Sequence, residues 1–409
     1  MPINLPLANR TKAKKINPRI LLLYSAPKVG KALTFDSRIL TPSGFVKMSL
    51  IKVGDKCFGS DGQEKKITGV FPQGFLDCFK ITFIDNTFVE CSGDHLWTVI
   101  NKRLRHKGKI VETKTTKELL VDYNLGNRYN YAINYVQPIN FSVENELKIH
   151  PYVMGLLITD GCLRTNKRLC LSEQKAKLIP YLKKCGIDLD RMQTSWDFVI
   201  RSKNIKQAIE DIGLNVNSYD KFIPKNYLIT YIENRIALLQ GLMDGDGTPQ
   251  SAKSGIEYST TSKKLANQVA YLVRSLGGKC SIISRIGKYK DEYDDVIECR
   301  ENYRVYIQFF SSIKPFRLEG KAKWYKKQTR FNEKAIVSIE SVGKKECQCI
   351  KIASDDGLFV TNGFNLTHNT ELLARLENNL IIDIEKGSDY VETGKIIKAN
   401  SWEKVQEIG

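Results

Sequence analysis

Three consecutive residues near the end of the chain, His368, Asn369 and Thr370, are of types that can cut and rejoin a polypeptide. An asparagine side-chain amide can attack its own main-chain carbonyl, close a five-membered succinimide and release the residue that follows. The attack is intramolecular, and such geometry reaches effective molarities of about 10⁵–10⁸ M. His368 stands beside that carbonyl as a proton donor, and Thr370 carries a hydroxyl able to accept an upstream acyl group. Taken alone, His-Asn-Thr is most often an ordinary turn. Its weight comes from what resumes there. Ser25-Ala-Pro-Lys-Val-Gly-Lys31 reads as a phosphate loop that stops before its hydroxyl, and Thr370-Glu-Leu-Leu supplies one. Such a loop wraps phosphates with backbone N–H groups and needs Lys and Ser/Thr side by side to reach phosphate and Mg²⁺. With Ala32 to Asn369 in between, Gly30, Lys31 and Thr370 can hold ATP phosphates only after that segment has left. The first loop position is Ser25 instead of Gly.

A second constellation is made of carboxylates. Val153-Met-Gly-Leu-Leu-Ile-Thr-Asp-Gly161 and Leu238-Leu-Gln-Gly-Leu-Met-Asp-Gly-Asp-Gly247 both read as short apolar helices ending in Asp-Gly. One such segment is ordinarily a plain helix end. Two, each followed by strand-like residues (169–173, 256–260) and an amphipathic helix (174–185, 262–276), form an internal repeat. Gly155 and Gly241 would let the two helices pack closely about a pseudo-twofold axis, so that Asp160 and Asp246 converge. A pair of carboxylates beside scissile phosphates can hold Mg²⁺.

The elements that must position these residues follow from the pattern. Residues 19–24 read as a buried strand. From Ala32 to about Asn140 the chain shows short strands with turn signals, residues 101–135 being more polar and less clear. The repeat follows, then a basic run at 314–334 with Phe316, Trp324, Tyr325 and Phe331. From Ile336 the β pattern returns, so one β unit is split by the repeat. The 409 residues carry 63 Lys and Arg against 45 Asp and Glu, a net charge of +18, which suits a polyanionic partner such as nucleic acid. No stretch of about 18 apolar residues is present, so no membrane span is expected. Arg10, Lys12, Lys14 and Lys15 interrupt any signal core. Ten cysteines without a zinc-type spacing point to a reducing compartment, the cytoplasm of a bacterial or phage-infected cell.

Ala32-Leu-Thr-Phe-Asp-Ser-Arg-Ile-Leu-Thr-Pro-Ser-Gly44, Cys91-Ser92-Gly93-Asp94-His95, Cys349-Ile-Lys-Ile352 and His368-Asn369-Thr370 occur in the order of the splicing blocks of inteins, and Ala32 to Asn369 resembles that family. Ser92 stands where the family usually has Thr, and Ala32 where it usually has a nucleophilic Cys or Ser. Two explanations compete: an engineered replacement that traps the precursor, or a resemblance to the third intein class, which lacks a first-position nucleophile. Cys349, Trp97 and Thr370 match the three residues that mark this class. Alone, Trp97 would be a core aromatic and Cys349 a small buried hydrophobe. The resemblance implies direct attack of Cys349 on the Lys31–Ala32 bond with help from His95, transfer to Thr370, cyclisation of Asn369 aided by His368, and a Lys31–Thr370 product. Donors around Ser92, Asp94 and His95 would stabilise the oxyanion. No cofactor is implied, and the reaction is intramolecular. The family's further His after the penultimate block is absent, with Gly357 near its place.

The paired Asp-Gly helices resemble LAGLIDADG homing endonucleases. This implies a Mg²⁺-dependent nuclease with Asp160 and Asp246 as metal ligands, acting on the double-stranded host gene that lacks the insertion. Lys221-Phe-Ile-Pro224 resembles the family's catalytic-lysine block, and Lys323 could be its pseudo-symmetric mate or simply a solvated lysine. The expected architecture is multi-domain. An all-β split splicing domain, a Hint-like horseshoe, spans 32–140 and 330–369. An α+β pseudo-twofold endonuclease spans 148–325, and the flanks 1–31 and 370–409 are fragments of an α/β P-loop fold resembling phage RecA-like ATPases. The competing reading is an ATPase with a permanent DNA-binding insertion.

Overall fold

The computed structural model describes residues 20–23, 32–126, 128–142, 146–163, 170–171, 178–187, 189–191, 198–200, 202–250, 254–290, 295–329, 332–368, 380–383 and 396–398. Gly30, Lys31, Asn369 and Thr370 lie outside these residues. In the flanks, Ile20–Leu23 and Leu380–Asp383 pair as parallel neighbours in the register Ile20↔Leu380, and Ile396–Lys398 adds a third strand. The two apolar runs that the sequence joins are thus hydrogen-bonded across the insertion.

The split β unit is built from β1 (Leu33–Thr34), β2 (Glu64–Phe83), β3 (Phe88–Ser92), β4 (Leu96–Asn101), β5 (Tyr131–Asn134), β6 (Glu333–Ile352), β7 (Leu358–Thr361) and β8 (Asn365–His368). Its main sheet has eight strands in the order Lys56–Phe58, β2, β3, β1, β6, β5, β4, Val111–Thr115. A smaller sheet runs β8, β7, Arg38–Thr41, Gly44–Lys47. β2 and β6 are each 20 residues long. A straight strand of that length would span roughly 66 Å, too long for a compact unit. They pair with each other from Ile336↔Phe83 to Ile352↔Ile67 through four register shifts, and such irregularities bend a strand. The polar stretch 101–135 holds more order than its composition suggests. It contains Val111–Thr115 and a helix over Thr116–Asp122, opened by a capping box between Thr115 and Glu118.

β5 and β6 are antiparallel neighbours with Asn134 opposite Glu333, so the chain leaves the sheet and re-enters it at adjacent points. Between them, α1 (Pro151–Thr159) packs against α2 (Ile232–Asp246). α1 is apolar on nearly every side, the mark of a buried element; Pro151 through Ile158 are all buried. A sheet ordered Cys170–Leu171, Phe198–Ile200, Leu189–Arg191 follows α1. A sheet ordered Gly247–Gln250, Gly255–Thr260, Val296–Gln308, Lys279–Lys290 follows α2, backed by α3 (Lys263–Ser275). The repeat is therefore structural as well as sequential. The hydrophobic core does not respect the split: Leu40, Phe58, Val360, Phe364 and Leu366 of the β unit share one cluster with Leu156, Leu242 and Val269 of the insertion.

Candidate active sites

The upstream junction is set by strand register. Ala32, fully buried, immediately precedes β1. On one side its N–H donates to Ser92 Oγ at 3.3 Å, and Ser92 N–H donates back to the Ala32 carbonyl at 2.9 Å. On the other side β1 and β6 pair as Leu33↔Gln348 and Thr34↔Cys347. Continuing this antiparallel register by one residue sets Cys349 opposite Ala32. Ala32, Cys349, Cys347 and Cys78 form one small buried cluster beside Phe71 and Leu76.

β8, which leads toward the downstream junction and ends at His368, reaches His95. The His95 ring meets the Thr367 hydroxyl, one residue before His368, which is itself buried. His95 is held from behind: its ring lies edge-on to Trp97 at 5.3 Å, and Trp97 Nε1 donates to Thr116 Oγ1 at 3.1 Å. The Thr116 N–H donates to the His95 carbonyl at 2.9 Å. Trp97 is a core aromatic that also fixes a histidine, so the two readings of it are compatible. Thr116, Thr367 and Cys78 were not legible as site residues. The i, i+2 separation of His95 and Trp97 was the only sequence sign of this bracket.

Asp94 does not join the site. Its carboxylate faces outward and pairs with Lys117 at 3.0 Å. In the three-residue connection between β3 and β4, Asp94 stays at the surface while the following His95 is buried. The cysteines also separate. Cys78 and Cys347 sulfurs lie 3.3 Å apart. This contact is the first cause of a raised Cys347 thiol and a lowered Cys78 thiol. Burial pushes Cys91 up to about 12. Cys347 is therefore engaged elsewhere, while Cys349 is the cysteine that register sets against Ala32.

The second site lies where α1 and α2 cross. A Cβ on Gly155 would sit 2.5 Å from the Leu238 carbonyl, and one on Gly241 2.1 Å from the Tyr152 carbonyl, so the helices touch backbone to backbone. Asp160 caps α1, and Asp246 ends α2 and is exposed. Asp244, by contrast, is fully buried and accepts from Tyr152 Oη at 2.8 Å and from the Arg317 and Leu318 N–H groups, both at 3.1 Å. It is a structural carboxylate. Lys221 Nζ donates to the carbonyls of Thr159 and Gly161 at 3.1 and 3.0 Å, at the end of α1. Its counterpart at the end of α2 is Lys321, whose ammonium donates to the carbonyls of Met243, Asp244 and Gly245 at 3.1, 2.9 and 2.8 Å. Lys323 is exposed beside Trp324 and is not the mate of Lys221. Spacing from the Asp could not reveal this, because the segments leading to the two lysines differ in length.

Burial lowers Lys221, opposed by Asp246 and Asp160. The fully buried Tyr258 hydroxyl is raised well above its ordinary value by burial first, then by the same two carboxylates. Both carboxylates therefore act on the same buried groups from opposite helices. A pair of carboxylates with neighbouring carbonyl oxygens is a hard-oxygen donor set that fits Mg²⁺, which takes one or two protein carboxylates and completes its shell with water and phosphate. Among the described residues no group of three or more His, Cys, Asp or Glu could serve as a self-contained metal cage.

Residues 233–310 match the family described as LAGLIDADG-like domain. The chain is 23% identical over 377 residues to a replicative DNA helicase DnaB of Mycobacterium intracellulare, covering 86% of this chain and 61% of that protein. It therefore spans less than two thirds of this curated relative. A DnaB of Mycobacterium leprae is 28% identical over 80 residues, 19% of this chain and 13% of that one. Among solved structures, the MchDnaB-1 intein is similar at 8% identity over 83% of this chain and 100% of that one, with a TM-score of 0.27. Variants of the homing endonuclease I-DmoI are similar at 18% identity over 43% of this chain and 96% of that one, with a TM-score of 0.28. The chain thus holds a LAGLIDADG-like segment in a two-helix insertion, aligns with a DnaB helicase over most of its own length, and has a split β fold in which residues flanking the insertion ends lie close together.

Proposed function

We propose that residues 32–369 excise themselves by the route of the third intein class and join Lys31 to Thr370. The single observation that carries this reading is the position of Ala32, held between Ser92 on one strand and the register of Cys349 on the other. Cys349 thiolate attacks the Lys31 carbonyl; the Lys31–Ala32 bond breaks as His95 protonates the departing Ala32 amine, leaving residues 1–31 on Cys349 as a thioester. Thr370 hydroxyl then attacks the thioester, returning the sulfur to Cys349. The Asn369 side-chain amide attacks its own carbonyl, His368 protonates the amine of Thr370 as it leaves, and the insertion is released with a terminal succinimide. The ester on Thr370 shifts to the freed amine to give the Lys31–Thr370 peptide. The host is a DnaB-type helicase whose phosphate loop is completed only by this ligation; Gly30, Lys31 and Thr370 then hold ATP phosphates. Expression of the intact chain should yield an excised species and a joined flank peptide, read by mass spectrometry. A single 46.6 kDa band over hours would overturn the reading.

The inserted domain cuts double-stranded DNA of the host gene that lacks the insertion. Asp160 and Asp246 would hold Mg²⁺, which supplies stabilisation of charge on the reacting phosphate oxygens. Lys221 and Lys321 keep cationic groups at the ends of α1 and α2, next to those carboxylates. Asp160→Asn should abolish cutting of DNA carrying the uninterrupted host sequence while leaving excision unchanged. Undiminished cutting would remove Asp160 from the site.

A further inference from the structure

One buried charge cluster spans the two domains. Asp85, in the turn between β2 and β3, lies 3.0 Å from Lys334 Nζ and 3.5 Å from Arg274 Nε of α3. Asp85 and Lys334 are 2% and 1% exposed. Lys334 stands where the chain re-enters the sheet in β6, opposite Ile133. Its ammonium donates to Asn365 Oδ1 at 2.8 Å, with the Thr87 hydroxyl at 3.4 Å and the Gly363 carbonyl at 3.5 Å. The Thr87 hydroxyl also bridges Asp85 and Asn365, at 2.6 and 3.2 Å. Asn365 opens β8, the strand whose Thr367 meets His95 and whose last residue is His368. Tyr271 of α3 packs edge-on to Phe364, the preceding residue, at 5.0 Å.

Buried ions are costly: desolvation of each takes several kcal/mol, and an apolar replacement is often no less stable. Two cations and one anion here are not explained by stability. What they do have is reach, from a helix of the insertion to the head of the strand that carries the downstream junction. We infer that Arg274, Asp85 and Lys334 are positioning residues for the downstream cleavage, holding Asn365 so that Thr367 and His368 stay in register with His95. The insertion thereby contributes a residue to splicing, an inference that rests on the splicing reading above.

The two cleavages can be timed separately on the full chain. Thiol-induced release of residues 1–31 reports the thioester, and release of residues 370–409 reports Asn369 cyclisation. Lys334→Met should slow release of 370–409 about tenfold while thioester formation changes less than twofold. Lys334→Arg should recover most of the loss. Arg274→Met, which leaves the Asp85–Lys334 pair neutral and intact, should slow the same step about threefold, and Arg274→Lys should restore it. Charge supplies a readout that packing alone would not move. Lys334 faces Asp85 from the β2–β3 turn, Arg274 from α3, Cys280 from the Lys279–Lys290 strand and Tyr135 after β5. Burial lowers Lys334 to about 8, opposed by Asp85, whereas Cys280 is raised to about 11 and Tyr135 is raised too. Raising pH through about 8 removes the Lys334 charge, and with it the folding penalty of burying that charge. Downstream cleavage should therefore slow relative to the upstream step while the melting temperature does not fall. Lys334→Arg, charged throughout, should lose this pH response. If Lys334→Met fails to fold, the Arg274 pair decides. Equal slowing of both steps, or none, overturns the inference alone; a wild-type chain that never splices overturns the splicing reading with it.

Discussion

Cys347 and Cys349 share one buried cluster with Ala32, and strand register sets Cys349, not Cys347, opposite it. The chemistry agrees. Cys347 is engaged with Cys78, and that hydrogen bond raises its thiol. Cys349→Ala should leave no thioester and reduce excision at least about 10³-fold, whereas Cys347→Ala should splice within severalfold of the parent. A mass-spectrometric time course distinguishes them, and the opposite pattern would exchange their roles. The lysines admit a parallel comparison. Lys321 is fixed by three carbonyls at the end of α2 and Lys323 is solvated. Lys321→Met should lower DNA cutting by about 10²-fold, while Lys323→Ala should cut at close to the parent rate. Equal losses would return Lys323 to the site.

At the scale of elements, the nuclease centre depends on how closely α1 and α2 approach. Each helix offers a glycine where the other's backbone crosses, and a methyl group at Gly241 would fall 2.1 Å from the Tyr152 carbonyl. That is far inside van der Waals contact, and neither helix can yield without moving Asp160 and Asp246 apart. Gly241→Ala should cost about 1–3 kcal/mol and lower the melting temperature. Gly320→Ala, whose added Cβ would meet nothing within 4 Å, is the matched control. If both variants melt together with the parent, the crossing is looser than described. The glycines were legible in the sequence as small residues at matching places in a repeat; that each lies on the crossing point was decided by the helix packing.

At the scale of the molecule, an insertion that leaves and returns at paired residues, Asn134 and Glu333, looks removable. The shared core opposes this. Deleting the insertion and closing β5 to β6 with a short turn would uncover Leu40, Phe58, Val360, Phe364 and Leu366 together. A contiguous apolar patch of that kind promotes association, so the shortened chain should aggregate at concentrations where the parent is monodisperse, by light scattering. Polar replacements at those five positions should restore solubility; a soluble, unmodified deletion would show that the two cores are independent. What the sequence determined by itself is what lies close together along the chain. This covers the consecutive residues at the downstream junction, the His95-x-Trp97 pair, the Asp-Gly helix ends, and the repeat that places two such ends in one domain. These are short-range patterns whose spacing is fixed by covalent geometry and by helix and strand periods. Only the tertiary structure decided which cysteine faces Ala32, that Lys321 answers Lys221, that Asp94 points away, and that Arg274 reaches Lys334 through Asp85. Ala32 and Ser92 are 60 residues apart, and His95 and Thr367 are 272. Contacts over such separations are set by strand register and by the crossing of two helices, and residue spacing along the chain carries no measure of either.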